Sequence, residues 1–434
     1  MCRRNENQAL PENKVQATMN TLNTAETTVI IGAGHAGVQA GASLREYGWK
    51  GRIILISDEY SLPYERPPLS KTFDASQAVV QLRPQAFYDD KGIELALGQA
   101  VTSLEATNKT ICLANGQTIR YDNAILCTGS TPMRVPPFDH LNTDDVYVLR
   151  NADDQTALQT KIEAGRLQRL LVLGAGFIGL EAAAALADRV PEITVVDLAP
   201  TAMGRAVAPE IGQLCVEALQ GAGITIKLKT QIENVEQTST GLNLEFPDRE
   251  SLEVDGVLLS VGARPNDDLL VAAGFGKHRE IAVNSACQLL GQDDLYAVGD
   301  MVMAPHPLLG ETPMRLESVD AAVSQAKTAA AAICNVPAPR PLAPWFWSTQ
   351  GKNKLQMVGI KNFATQWVLR HDKNAEMPTA TALGFNDKQE LVAAQCLNNT
   401  KDFAASRKFW GRQPSLNIKA LTDSKLALKE AFEV

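Results

Sequence analysis

The apolar positions of this chain fall in short continuous runs that stop at glycine clusters, and one such arrangement occurs twice. Residues 28–31 (Thr-Val-Ile-Ile) run into Gly32, Gly34 and Gly37, and residues 170–173 (Leu-Leu-Val-Leu) run into Gly174, Gly176 and Gly179. An alanine-rich stretch follows each cluster. A β-branched or leucine run bounded by glycine predicts a buried strand, and the alanine-rich stretch a helix packed on it. The same patterning predicts strands at 52–57, 93–98, 101–106, 110–113, 118–120 and 124–127, then a helix at 152–164. Beyond the second cluster come strands at 193–196, 224–228, 232–236, 242–246 and 257–261, with an amphipathic helix at 209–221. A strand near 295–299 and an alanine-rich helix at 318–333 bring the chain back to the first unit. Four prolines within 337–344 mark a linker. Alternating segments at 355–369 and 379–397, and a helical part from 400, suggest a last α+β domain.

The expected architecture is therefore α/β, with two nested Rossmann-like dinucleotide-binding domains and a C-terminal α+β domain. Residues 1–26 are expected as a disordered tail, 27–150 with 277–336 as one discontinuous domain, 151–276 as the domain inserted in it, and 337–434 as the third.

The glycine spacing carries the chemistry. In a strand–turn–helix unit the first glycine permits the tight bend, the second lets backbone approach a pyrophosphate, and the third lets helix and sheet close up. The anion then sits on the helix N-terminus. Each unit also has an acid where a ribose-binding carboxylate is expected, Asp58 (with Glu59 beside it) and Asp197. Two complete copies call for two dinucleotides. The Thr128-Gly129 turn after the strand at 124–127 would let the chain pass close to one of them.

Composition narrows the class. A net charge of −8 gives no global support for binding nucleic acid or an anionic membrane. No apolar run approaches the roughly 20 residues of a membrane span. The seven cysteines are scattered without a CxxC pair, which fits a reducing cytoplasm. Charge is uneven, with 13 Lys and Arg against 8 Asp and Glu from Gly351 onwards. That basic end offers a docking face for an acidic partner, or simply a solvated surface.

Several stretches together resemble one family. They are 32–39 (GAGHAGVQ), 66–71 (RPPLSK), 82–84 (LRP), 174–181 (GAGFIGLE), 261–266 (VGARPN), 296–300 (YAVGD), 315–319 (RLESV) and 345–348 (WFWS). The chain resembles the flavin-dependent, NADH-using ferredoxin reductases that serve Rieske-type dioxygenases and bacterial haem-thiolate monooxygenases. The resemblance implies a glutathione-reductase-like arrangement with FAD on the first unit: Gly32, Gly34 and Gly37 at its pyrophosphate, Asp58 at its ribose, Val101 near adenine, and Asp300 at the ribityl or phosphate portion. It implies further FAD contacts from Lys71, Thr128, Gly129, Arg134, Val319 and Trp347. NADH would lie on Gly174, Gly176, Gly179 and Gly262, with Asp197 on its ribose. Two departures stand out: only Arg134 follows Thr128-Gly129 closely, and WFWS continues as Thr349-Gln350-Gly351.

The catalytic residues expected from this resemblance are Lys71 near the flavin, paired with Glu181, and Trp347, which would cover the flavin and mediate transfer. The acceptor would be a small [2Fe–2S] ferredoxin, with rubredoxin the alternative, and the reductase a cytoplasmic monomer or homodimer. Asp197 favours NADH, while the nearby Arg205 is of a type that can accommodate NADPH. A rival reading is an NADH oxidase or peroxidase, which needs an activated cysteine; Cys127 is the single candidate. A redox-sensing flavoprotein is a third.

Overall fold

The computed structural model describes residues 26–74, 79–141, 143–306, 308–414 and 417–433. The tail expected over residues 1–26 lies outside them except for Glu26, whose carbonyl accepts from Arg52 N at 2.8 Å. In chain order, β1 (Thr27–Ile31), α1 (His35–Glu46), β2 (Arg52–Ile56), β3 (Ile93–Ala96) and β4 (Asn123–Leu126) form the first unit. The second comprises α2 (Ala152–Glu163), β5 (Arg169–Leu173), α3 (Phe177–Leu186), β6 (Glu192–Asp197), β7 (Thr225–Leu228) and β8 (Gly256–Leu259). β9 (Leu295–Ala297) and α4 (Val319–Ile333) follow, and then β10 (Trp345–Gln350), β11 (Asn353–Gly359), β12 (Gln366–Asp372), β13 (Thr379–Phe385), β14 (Leu391–Leu397) and α5 (Thr400–Phe409).

The first sheet is parallel in the order β9-β4-β1-β2-β3. Its outer strand β9 comes from beyond the whole second unit, so the inserted unit interrupts the first. Val29, Ile30, Ile53, Leu55 and Ala124 to Leu126 have no exposed surface, as strands covered on both faces require. α1 and α4 pack together through small residues, among them Ala40, Ala326, Ala329 and Ala330. The second sheet, also parallel, runs β7-β6-β5-β8 with the two-residue strand Val146–Tyr147 at its edge.

The third sheet is antiparallel, in the order β10-β11-β14-β13-β12. The alternation expected across 379–397 breaks down here: all seven residues of β14 are buried. α5 covers one face and the second unit covers the other, so no face of this strand meets water. The fold class is thus α/β, two Rossmann-like units plus a C-terminal antiparallel domain.

Candidate active site

The two glycine turns are built alike. Gly32 N donates to Ile56 O at 2.8 Å, and Gly174 N donates to Val196 O at 2.7 Å. Both glycines need the left-handed backbone, with φ of 104° and 110°, and a Cβ on either would overlap a carbonyl, that of Cys127 or of Ser260. Gly34 differs: a Cβ there would find no atom within 4 Å, and at Gly176 only Ser260 O at 3.9 Å. Each turn therefore presents backbone to open space at the N-terminus of a helix, the shape and polarity a pyrophosphate requires.

Cations surround the first turn. His35, half-buried at the start of α1, has its pKa pushed down to about 4 by burial and then by Arg66 and Arg150. Arg150 faces Asp300 with Nη1 3.9 Å from Oδ2, beside Gly129. Asp300 accepts a 3.0 Å bond from Ser130. Two guanidiniums thus stand near this turn, Arg150 facing Asp300 and Arg66 paired with Glu59, beside the open backbone N–H groups that fit the diphosphate of FAD. Arg134 points elsewhere, with Nη2 donating to Val146 O at 3.3 Å. The arginine beside Gly129 is Arg150, which spacing alone did not single out because a fold-back of 21 residues brings it there.

The acids after the strands are not equivalent. Superposing the two turns by their hydrogen bonds sets Asp197 against Ser57, so Asp58 stands one residue further on. Asp58 is exposed. Its neighbour Glu59 pairs with Arg66 and accepts a 2.6 Å bond from Tyr64. Asp197 accepts from Ala175 N at 2.6 Å and Ala199 N at 2.7 Å, which locks it at the lip of the second turn. That turn opens into a cavity of about 1080 Å³ lined by Gly174, Gly176, Phe177, Asp197, Arg205 and Phe346. Its size suits a dinucleotide. Arg205 reaches towards Gly262, where a Cβ would lie 3.6 Å from its Nη2.

Between the turns lies a buried carboxylate. Glu181, on α3 and 2% exposed, accepts from Lys71 Nζ at 2.6 Å, Ser70 Oγ at 2.5 Å, Ser348 Oγ at 2.7 Å and Thr349 N at 3.3 Å. Lys71 comes from the Pro67–Ser70 turn of the first unit, and Ser348 and Thr349 from β10. A buried anion is tolerable only with this density of donors. The sequence pointed to Lys71 and Glu181; the two serines carried no signal of their own.

Trp345 and Trp347 stack at 5.2 Å between centroids. Trp345 N donates to Asp320 in the first turn of α4, which sets this strand beside Val319. Thr128 is tied to Asn266 through its hydroxyl, at 2.6 Å, and through its carbonyl. Val101, half-buried, packs against the first core. Cys127 is 7% exposed and burial pushes its thiol well up, so no thiolate is available there.

Residues 26–326 match the pyridine nucleotide-disulphide oxidoreductase family and residues 345–432 the reductase C-terminal family. The chain belongs to the pyridine nucleotide-disulphide oxidoreductases and carries the reductase C-terminal domain. It is 33% identical to the ferredoxin–NAD(+) reductase component of a 3-phenylpropionate/cinnamic acid dioxygenase from Photorhabdus laumondii, over 88% of this chain and 95% of that one. Among solved structures it resembles putidaredoxin reductase in its covalent complex with putidaredoxin, with a TM-score of 0.87 and 28% identity over 94% and 98% of the two chains. It also resembles a ferredoxin reductase of Rhodopseudomonas palustris, with a TM-score of 0.84 and 32% identity over 94% and 100%.

Proposed function

We propose that this chain is a flavoprotein reductase that passes electrons from NADH through FAD to a small [2Fe–2S] ferredoxin feeding an oxygenase. The observation that carries this reading is the Glu181 junction, where the first unit, the second unit and β10 meet on one carboxylate. FAD, when bound, converts the two-electron donation of a nicotinamide into single-electron delivery.

The chain's own residues divide the work. Gly32, Gly34 and Gly37, with Arg66 and Arg150, hold the FAD diphosphate; Gly174, Gly176, Gly179 and Asp197 hold NADH. Asp197 excludes a 2′-phosphate by charge. Arg205 lines the same cavity and reaches towards Gly262. Lys71, fixed by Glu181, supplies positive charge at the flavin. Trp347 belongs to the C-terminal domain, whose exposed Lys352, Lys354, Lys401, Arg407 and Lys408 suit an acidic ferredoxin. No helix among the described residues is long and apolar enough to cross a membrane.

The test is anaerobic reduction of the purified protein by NADH, then addition of ferredoxin, rubredoxin or oxygen. Fast bleaching by NADH and rapid reoxidation by [2Fe–2S] ferredoxin are expected. Reoxidation by oxygen alone would make the protein an oxidase, and failure to bind FAD would overturn the reading.

A further inference from the structure

The segment that carries Lys71 belongs to the first unit by sequence, yet it is fastened to the second. Phe73 is 3% exposed and sits in the core of the second unit, in one cluster with Leu158, Leu186 and Val190. The carbonyls on either side of Lys71 converge on a single amide: Gln155 Nε2 donates to Thr72 O at 2.6 Å and to Leu69 O at 3.2 Å, so both of its hydrogens are used. Arg189, just past α3, donates to Phe73 O.

Gln155 is itself held from a fixed place. It lies in the first turn of α2, which is closed by a reciprocal capping box between Asn151 and Asp154. The backbone entering that turn is docked on the first unit, because Ala152 N donates to Tyr64 Oη at 2.9 Å and Arg66 Nη1 to Arg150 O at 2.8 Å. A lysine side chain has four rotatable bonds. Among the described residues, the Lys71 ammonium donates besides Glu181 only within its own segment, to Pro67 O at 3.0 Å and Ser70 Oγ at 3.5 Å, so its place follows that of the segment. Pinning the peptides on both sides of Lys71 fixes that place.

We propose that Gln155 is a positioning residue for the reductive half-reaction, with Arg189 and Phe73 as its supports. It holds the Lys71 backbone to the nucleotide-binding unit so that the ammonium keeps one place between Glu181 and the flavin. This inference rests on the assignment of Lys71 to the flavin made above. Gln155 touches neither cofactor and acts through Lys71.

The test is a double-mutant cycle between Gln155→Met, which keeps the side chain's length and removes both donors, and Lys71→Met. The rate of flavin bleaching by NADH is followed by stopped flow, beside FAD content and melting temperature. Gln155→Met is expected to keep its FAD and its half-saturating NADH concentration but to bleach roughly three- to tenfold more slowly, the span set by the worth of about one ordinary hydrogen bond. In the Lys71→Met background it should have no further effect. Gln155→Met bleaching at the wild-type rate while Lys71→Met is slow would overturn the positioning role and leave the functional reading standing. An equal slowing by Gln155→Met with and without Lys71 would show that it acts by another route, which also overturns it. Lys71→Met bleaching as fast as wild type would remove the assignment of Lys71 itself. Should Gln155→Met fold poorly, Arg189→Met serves in the same cycle, with Arg189→Lys as the variant expected to restore the rate.

Discussion

Gly34→Ser separates binding from folding at the first turn. Gly34 precedes α1 with φ −77° and ψ −166°, an extended backbone open to any residue, and a Cβ there meets nothing within 4 Å. Serine is at least as good as glycine at an N-cap, so the apoprotein should melt at the wild-type temperature or slightly above it. The new side chain occupies the space into which a pyrophosphate would settle. It costs the cofactor one or two charge-assisted bonds to backbone N–H groups, each worth about 1.5–3 kcal/mol. FAD affinity should therefore fall roughly ten- to hundredfold per bond lost. Gly32→Ala makes the contrast. At φ 104°, with its Cβ against Cys127 O, it carries about 1–3 kcal/mol of backbone strain besides the overlap, and the apoprotein itself should suffer. Fluorescence titration of the deflavinated proteins with FAD, beside thermal melts, reads both quantities. A Gly34→Ser protein that melts normally and binds FAD as tightly as wild type would refute the pyrophosphate cradle.

Three further outcomes follow from the geometry. Asp197→Ala frees the Ala175 and Ala199 amides and removes the carboxylate that excludes a 2′-phosphate; the NADH KM should rise by roughly ten- to hundredfold, with that for NADPH rising less. An unchanged ratio of kcat/KM for the two nucleotides would count against this role. His35 has a folded-state pKa of about 4 against 6.5, so the unfolded chain takes up its proton first and the apoprotein loses stability as pH falls from about 6.5 towards 4. A bound diphosphate raises that pKa, so FAD affinity should increase as pH falls through the same window, and His35→Gln should flatten both profiles. Arg370, 3% exposed, donates to Asp402, Ala420 O, Leu421 O and Leu426 O; Arg370→Ala should cost about 3–5 kcal/mol and expose residues 418–431 to protease, and undiminished resistance would contradict that.

What the sequence made legible was local. Both glycine turns, with their strands and helices, could be read because the evidence for each lies within about 30 consecutive residues, and the insertion because a late strand and helix repeat the first unit's pattern after the second. The 66–71 loop and Glu181 were legible as motifs. What escaped depended on long returns of the chain or on single-residue register. Arg150 reaches Gly129 only through the fold. A spacing of about 20 residues cannot separate Asp58 from Glu59, and the hydrogen-bond register sets Asp197 against Ser57, matching neither acid. Arg134, chosen for its nearness in sequence to Thr128-Gly129, is carried to Val146 by the crossing into the second unit. β14 reads as half-exposed until the unit that covers its other face is known.

Glu181 links the three parts of the fold. A carboxylate 2% exposed would cost several kcal/mol if left unpaired, and each of its donors comes from outside the unit that carries it. Ser70 and Lys71 satisfy Oε2 from the first unit, and Ser348 and Thr349 satisfy Oε1 from β10. Both oxygens are satisfied only when all three parts have docked. The same docking brings Lys71, both glycine turns and the Trp347 strand together. The energetic penalty of a half-paired Glu181 therefore disfavours any arrangement in which the nucleotide units have closed but β10 has not docked. Among the described residues every cysteine is free and Cys127 is buried, so the junction of the three parts rests on this carboxylate and its donors rather than on a disulfide.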